Sequence, residues 1–348
     1  MPKTLLLHLP PLTVEVITDS DRLLKWIENY YSSAPLPRAG SSAESTVLPV
    51  RCLLEELGST EQLKVQMAPS TALAGSIALC GAPCHYADGN FYSQATGNLA
   101  HAFHMDISSS IVRANLGGAL LECQETFIYN FMRDVFRKFI FPLNRLTMLH
   151  GAVVQRGPHA IFLSGDKGMG KSTTAMMLLE HGFSLISDDS PTVAQQNGFS
   201  LVYSSCDELS VTENTLELLP VFRQWLGNKR MVSGKYFLRR RALPADMLNP
   251  GPVQISHLIL LRRGPYSSVS VQEATRAEAI YELLKEAMLI FKYPGINRFN
   301  NALDNASSVT LEAITQLVSQ SRVVSLKFNE KHGPELPQIF DNILAERK

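Results

Sequence analysis

The sequence lacks a long apolar run, a pairable set of cysteines and an excess of either charge. Its first twelve residues hold a lysine and an apolar stretch, but His8, Pro10 and Pro11 interrupt that stretch before it reaches signal-peptide length. Nothing else approaches the ~20 apolar residues of a membrane span. The five cysteines, Cys52, Cys80, Cys84, Cys123 and Cys206, are odd in number and scattered, a pattern of free thiols in a reducing compartment. Thirty-two basic residues balance 32 acidic ones, so no global field would gather the chain onto nucleic acid or an anionic membrane, and any anion binding has to be local. Repeats and low-complexity tracts are lacking too. These absences predict a cytoplasmic globular protein without a nucleic-acid or membrane partner.

What is present is an ordinary globular composition, 45% hydrophobic and 18% charged over 348 residues, too long for one small core and enough for two units. Leu12 to Ile17 alternates like a strand, and Thr18, Asp19, Ser20 and Asp21 offer capping oxygens ahead of the apolar residues Leu23, Leu24, Trp26 and Ile27. A strand followed by an amphipathic helix is expected. Residues 35–45 read as a loop, and residues 52–121 as short strands punctuated by turns such as Ala87-Asp88-Gly89-Asn90. Apolar residues from Phe127 to Ile140 recur every three or four positions, which predicts one broad-faced helix, stopped by Pro142 and bracing the domain that follows. From Leu149 to Tyr203 the pattern reads strand, turn, strand, glycine loop, helix, strand, strand pair.

Within that run, Gly165-Asp166-Lys167-Gly168-Met169-Gly170-Lys171-Ser172 fits G-x-x-x-x-G-K-[ST], in which glycines let backbone amides turn inward around phosphate oxygens. Ala160 to Leu163 forms an apolar strand entering the loop, and Ser172 to Leu179 is helix-forming. Bound phosphates would therefore sit on a helix N-terminus, with Thr173 in its first turn. A chance match is the contrasting reading, and the strand-loop-helix context weighs against it. Lys171 is placed to reach β- and γ-phosphates, and the Ser172 hydroxyl to ligate Mg²⁺.

After the helix, His181-Gly182 looks like a C-terminal cap and Phe183 to Ser187 like a strand ending in Asp188-Asp189-Ser190. Successive strand residues point to opposite sides, so the carboxylates should not share one task. One would hold the metal and the other accept the proton of an attacking hydroxyl; standing alone, such a pair would read as a solvated turn. Asp188 is taken as the base and Asp189 as the metal ligand, with the reverse split left open.

The residues His150-Gly-Ala-Val-Val, Ile161 through Ser172 and Gly182-Phe-Ser-Leu-Ile-Ser-Asp-Asp together resemble the HPr kinase/phosphorylase-like P-loop proteins, which are structurally akin to phosphoenolpyruvate carboxykinases. The likeness is specific from His150 to about Thr192 and looser to the end, where Arg322 to Phe328 and Pro334 to Leu344 look like a closing strand and helix. It implies an α/β P-loop kinase domain over 149–348, preceded by a smaller α/β domain over 1–148. It also implies ATP and Mg²⁺ as cofactors, and site roles for His150, Gly165, Gly170, Lys171, Ser172, Asp188 and Asp189, the histidine lying on the strand before the loop. Glu208 falls where the family places a further metal-side acid. The acceptor implied is a serine hydroxyl in a peptide or protein, with free serine or another small molecule as runner-up and a transfer-free nucleotide-dependent binding module as the contrasting class. Homo-oligomerisation stays open.

Residues 229–241 carry six basic side chains and no acid, among them Lys229, Arg230, Lys235, Arg239, Arg240 and Arg241. They read as a phosphate clamp, with Gly227 and Gly234 suited to a lid, or equally as a solvated basic face. Cys80, Cys84 and His85 with His101 and His104 invite a zinc reading, but their spacing matches no standard module. Cys52 and Cys123 read as core.

Overall fold

The computed structural model describes residues 2–9, 12–31, 50–56, 77–79, 82–87, 90–94, 101–108, 111–118, 121, 124, 127–136, 140–141, 144–204, 208–226, 231–232, 234–249, 251–287 and 306–346. Two compact units emerge, one of residues 1–146 with 289–309 and the other of 147–288 with 310–348. Among the described residues no helix is long and apolar enough to cross a membrane.

In the first unit, β1 (Lys3–Leu9) and β2 (Leu12–Thr18) lead into α1 (Asp21–Tyr31). The expected cap is there: the Ser20 hydroxyl accepts from the Leu23 amide at 3.2 Å, while Leu23 and Ile27, four residues apart, are buried on one face. Strands β3 (Val50–Glu56), β4 (Ile77–Leu79), β5 (Ala82–Ala87), β6 (Asn90–Gln94), β7 (His101–Ser108) and β8 (Ile111–Gly118) complete a sheet of order β1-β2-β3-β8-β7-β6-β5-β4. The predicted turn after Ala87 joins β5 to β6, which pair Ala87 with Asn90.

The helix expected from Phe127 is helical but winds as a π-helix over Phe127–Met132 before tightening at Arg133–Val135. Its buried pairs, Phe127 and Ile128, Phe131 and Met132, Val135 and Phe136, repeat every four residues, a period between the α and π windings, so a wider turn keeps them on one face. It belongs to the first unit, where the Phe127 and Trp26 rings lie 6.0 Å apart; bracing the domain that follows is not what its described contacts do. The loop expected at 35–45 and the side chains invoked for zinc lie outside the described residues.

The second unit opens with β9 (Thr147–Met148), a strand the sequence reading did not include, and continues with β10 (Ala152–Arg156), β11 (His159–Ser164), α2 (Lys171–Glu180), β12 (Ser184–Asp188), β13 (Pro191–Gln196) and β14 (Phe199–Ser204) in the order read from the sequence. There follow β15 (Glu208–Thr212), α3 (Glu213–Leu218), β16 (Met231–Val232), β17 (Lys235–Arg239), β18 (Val253–Arg263), β19 (Ser270–Glu273), α4 (Arg276–Glu286), α5 (Ala306–Ser319), β20 (Arg322–Phe328) and α6 (Leu336–Ala345). β11, β18 and β20 run parallel at the centre; β10 and β12 add antiparallel beyond β11, and β14, β13 and β9 form a second limb from the start of β18.

Period-two alternation buries both faces. Ile161, Leu163, Ile259 and Leu261 enter one core with Ala175, Leu178 and Leu179 of α2, while Ala160, Phe162, Leu258 and Leu260 enter another with Ala279 and Leu283 of α4. Each such side chain contributes roughly 1.5–3 kcal/mol by burial, so the strand that enters the glycine loop is fixed from both sides.

Candidate active site

α2 starts and stops as its residues dictate. Gly170 at its N-cap has φ +89°, and Gly165 at the root of the loop has φ +153° with the position of a side chain occupied: a Cβ there would lie 2.7 Å from the Leu261 carbonyl oxygen. At the other end the Phe183 amide donates to Leu178 and the Gly182 amide to Leu179, with Gly182 at φ +80°; this is the paired C-terminal closure expected of His181-Gly182. The helix is therefore short, and β12 begins at once and runs back to end beside the loop.

There the structure brings together most of the predicted residues. His150, Lys167, Gly168, Gly170, Lys171, Ser172, Thr173, Asp188 and Asp189 line one cavity of about 610 Å³, which the second unit alone forms. Gly165, Asp166 and Met169 are not among the residues that line it. Lys171 is 7% exposed, and its ammonium donates to the carbonyls of Gly165 and Asp166 and closes the loop at its root. Asp166 turns away to an ion pair with Lys285 of α4 at 2.8 Å, and hydrogen bonding from that ammonium holds its carboxyl below the usual range. Lys285 also reaches Glu282, which Arg262 of β18 pairs at 2.8 Å, so the loop is tied through α4 to the central strand.

The two aspartates have different surroundings. Asp188, 2% exposed at the end of β12, accepts from the Ser172 hydroxyl at 2.8 Å and from the Ser210 amide at 3.4 Å. Burial, with the neighbouring Asp189 charge adding to it, pushes its carboxyl up to about 6. Asp189 adopts φ +66°, which breaks the strand and presents a carboxylate that stays a quarter exposed, 3.1 Å from the His150 Nδ1. The same ring nitrogen lies 3.0 Å from the Asp189 carbonyl oxygen.

His150 itself is not in a strand. It stands at the bend between β9 and β10, its amide bonded to the Glu286 carbonyl, because Gly151 crosses so close to β11 that a Cβ would meet the Phe162 ring at 2.5 Å.

Glu208 opens β15 and is buried, but it does not line the cavity, and among the described residues no three His, Cys, Asp or Glu side chains converge. The basic segment divides. Lys235 lines the cavity beside Gly234, whereas Arg240 is 2% exposed and spends its guanidinium on Ser204 and on the carbonyls of Leu185 and Asn249; it ties strands together and clamps no phosphate. Lys229, Arg230 and Gly227 lie outside the described residues.

Sequence reasoning missed the opposite wall: Thr212, Thr215, Arg263, Phe328 and Glu330. Thr212 caps α3 by accepting from the Thr215 amide, and Thr215 meets the Thr173 hydroxyl at 2.8 Å. The Thr-Glu-Asn-Thr cap pattern and the basic pair ending the apolar β18 were the available signals, but only pairing of β18 with β11 brings Arg263 to the loop.

Residues 142–219, which carry the loop, α2 and both aspartates, match the HPr Serine kinase C-terminal domain. The matching segment is HPr kinase-like. The chain is 44% identical over 54 residues to the HPr kinase/phosphorylase of Treponema pallidum strain Nichols, a stretch covering 16% of this chain and 17% of that protein. It is 36% identical over 72 residues to the HPr kinase/phosphorylase of Bacillus mycoides strain KBAB4, covering 21% and 22%. The chain thus spans about a fifth of the length of these relatives. The Hpr(Ser) kinase/phosphatase structure from Coxiella burnetii aligns over 57% of this chain and 93% of that one at 11% identity, with a TM-score of 0.28, too loosely to place any residue.

Proposed function

We propose that residues 149–348 act as an ATP- and Mg²⁺-dependent kinase domain that transfers the γ-phosphoryl group to a hydroxyl, that of a serine in a peptide or protein, and that residues 1–148 form a separate α/β domain. The observation that carries this reading is the contact between Ser172, the hydroxyl residue ending the phosphate loop, and the buried Asp188. A carboxylate that desolvation pushes up to about 6 is a poor resident of that position unless a cation joins it. One carboxylate, one hydroxyl and phosphate oxygens make an all-oxygen set suited to a small hard cation that keeps several waters. Ser172 and Asp188 would hold Mg²⁺, and when bound it supplies charge neutralisation at the β- and γ-phosphate oxygens.

The protein's own groups then divide the work. Glycine-loop amides and Lys171 position the phosphates, and Lys235 offsets charge that develops on transfer. A base must reach the proton it takes, and here exposure decides: Asp188 is 2% exposed and its carboxylate already accepts from Ser172 and Ser210, while the His150 and Asp189 side chains are each about a quarter exposed. Asp189, oriented by His150, is therefore the group that accepts the hydroxyl proton. This is the reverse of the first-choice split and the one the contacts favour. Glu208 has no place in the metal set. The serine kinase description of the matching family model supports the choice of acceptor, as the odd number and scattered positions of the cysteines in the sequence support a reducing, cytoplasmic setting.

The test is to offer ATP labelled at the γ-phosphate, with Mg²⁺, to a cell lysate, a panel of serine-containing peptides and free serine, and to follow the label by mass spectrometry. Label on a peptide or protein serine is the expected result. Label that goes only to free serine would make this a small-molecule kinase, and label that never leaves ATP would overturn the kinase reading.

A further inference from the structure

The lining of the cavity divides by chemistry along α2. Ser172, at its start, touches Asp188 on the polar side, and Thr173 Oγ1 meets Thr215 Oγ1 of α3 at 2.8 Å. Four residues further along α2 and three further along α3, on the same helix faces, Met177 and Leu218 line the same cavity. The floor there is Phe328 and Leu336, both buried, while Leu218 is 48% exposed at the rim. Gly333, in the 3-10 turn Glu330–Glu335, closes the slot without a side chain: a Cβ would stand 3.0 Å from the Met177 methyl carbon.

We propose that this apolar slot seats the base of the nucleotide whose phosphates the glycine loop holds, a proposal that rests on the nucleotide reading above. The placement follows from the order of groups in a nucleotide. Lys171 and Ser172 belong to the β- and γ-phosphates, so the α-phosphate and ribose must lead away from Asp189 and His150, where the acceptor enters. One turn of helix, about 6 Å of rise, leads from Thr173 to Met177. A planar heterocycle presents two apolar faces, and a thioether with a leucine makes a good wall for one of them. An apolar side chain of the acceptor fits less well, because its hydroxyl has to reach Asp189 on the other side of the loop.

Isothermal titration of the full chain with Mg²⁺-ATP and with Mg²⁺-tripolyphosphate separates the base from the phosphates. Gly333→Val drives Met177 into the slot and should weaken ATP at least about tenfold, leaving tripolyphosphate within about twofold. Leu218→Ser, at an exposed position that folding does not need, should weaken ATP about threefold and tripolyphosphate not at all. Unchanged ATP affinity in both variants, or equal weakening of both ligands, overturns the base site. So does a wild type that binds tripolyphosphate as tightly as ATP, although the phosphate reading then stands. A wild type that binds neither defeats the phosphate reading and the base site with it.

Discussion

Replacing Asp188 by asparagine should stabilise the metal-free protein while removing its response to Mg²⁺-ATP. The side chain is 2% exposed, and burial raises its carboxyl from 3.8 to about 6. A group whose folded value lies above its unfolded value costs the folded state nothing below the unfolded value, and the cost grows until the folded value is passed. Here the cost is complete above pH 6. At 1.36 kcal/mol for each unit, the ionised carboxylate destabilises the folded unit by about 3 kcal/mol at pH 7.5 and by about 1 kcal/mol at pH 4.5. An amide has nearly the same shape, can still serve the Ser172 hydroxyl and the Ser210 amide, and carries no charge to desolvate. For a unit of this size, 3 kcal/mol corresponds to a rise in Tm of about 6–12 °C. The assay is thermal unfolding in EDTA at pH 7.5 and 4.5, repeated at pH 7.5 with Mg²⁺-ATP. Asp188→Asn should melt above wild type at pH 7.5, by a margin that falls to about a third at pH 4.5, and Mg²⁺-ATP should raise only the wild-type Tm. A variant that melts at or below wild type in EDTA at pH 7.5 would refute the argument that this carboxylate waits for a cation.

Arg240→Ala strands the buried carbonyls of Leu185 and Asn249 and should cost about 2–4 kcal/mol in chemical denaturation, whereas Lys235→Ala should leave stability within about 0.5 kcal/mol and lower the rate of phosphoryl transfer; equal stabilities would contradict the division of the basic segment. Asp189→Asn should keep Mg²⁺-ATP binding by calorimetry and lower turnover at least about a hundredfold, and loss of binding instead would return the metal to Asp189. Gly165→Ala has no room against the Leu261 carbonyl at 2.7 Å and should lose about 2 kcal/mol together with ATP binding; a wild-type melting curve would refute the close approach.

The local parts of this site were legible because each rests on short-range chemistry. Gly170 and Gly182 bound α2 through backbone angles that other residues resist, and the apolar alternation of β11 fixes which of its residues face α2. What was not legible depends on long-range pairing. Nothing within residues 229–241 tells Lys235 from Arg240; the register of β15 with β17 and the carbonyls of residues 185 and 249 do so. The opposite wall, from Thr212 to Glu330, reaches the loop only through the parallel pairing of β11 with β18 and β18 with β20. In the first unit, the sheet order β3-β8 joins strands more than fifty residues apart, which no local pattern encodes.

The adjacent aspartates show why alternation along a strand was too simple a guide to their roles. Alternation says that two neighbours face opposite sides, which separates them without saying which faces the hydroxyl of Ser172. The deciding feature is that β12 ends between them. Asp188 still holds its strand position, opposite Ala152 of β10, and is 2% exposed, while Asp189 turns into the left-handed region and leaves the sheet. The turn that exposes the Asp189 carboxylate also leaves its carbonyl oxygen 3.0 Å from the His150 ring nitrogen. A sealed carboxylate next to the phosphate loop and an open one beside an imidazole are two environments made from one dipeptide. In the proposed reading, tuning two like groups apart in this way lets one site supply both a cation holder and a base.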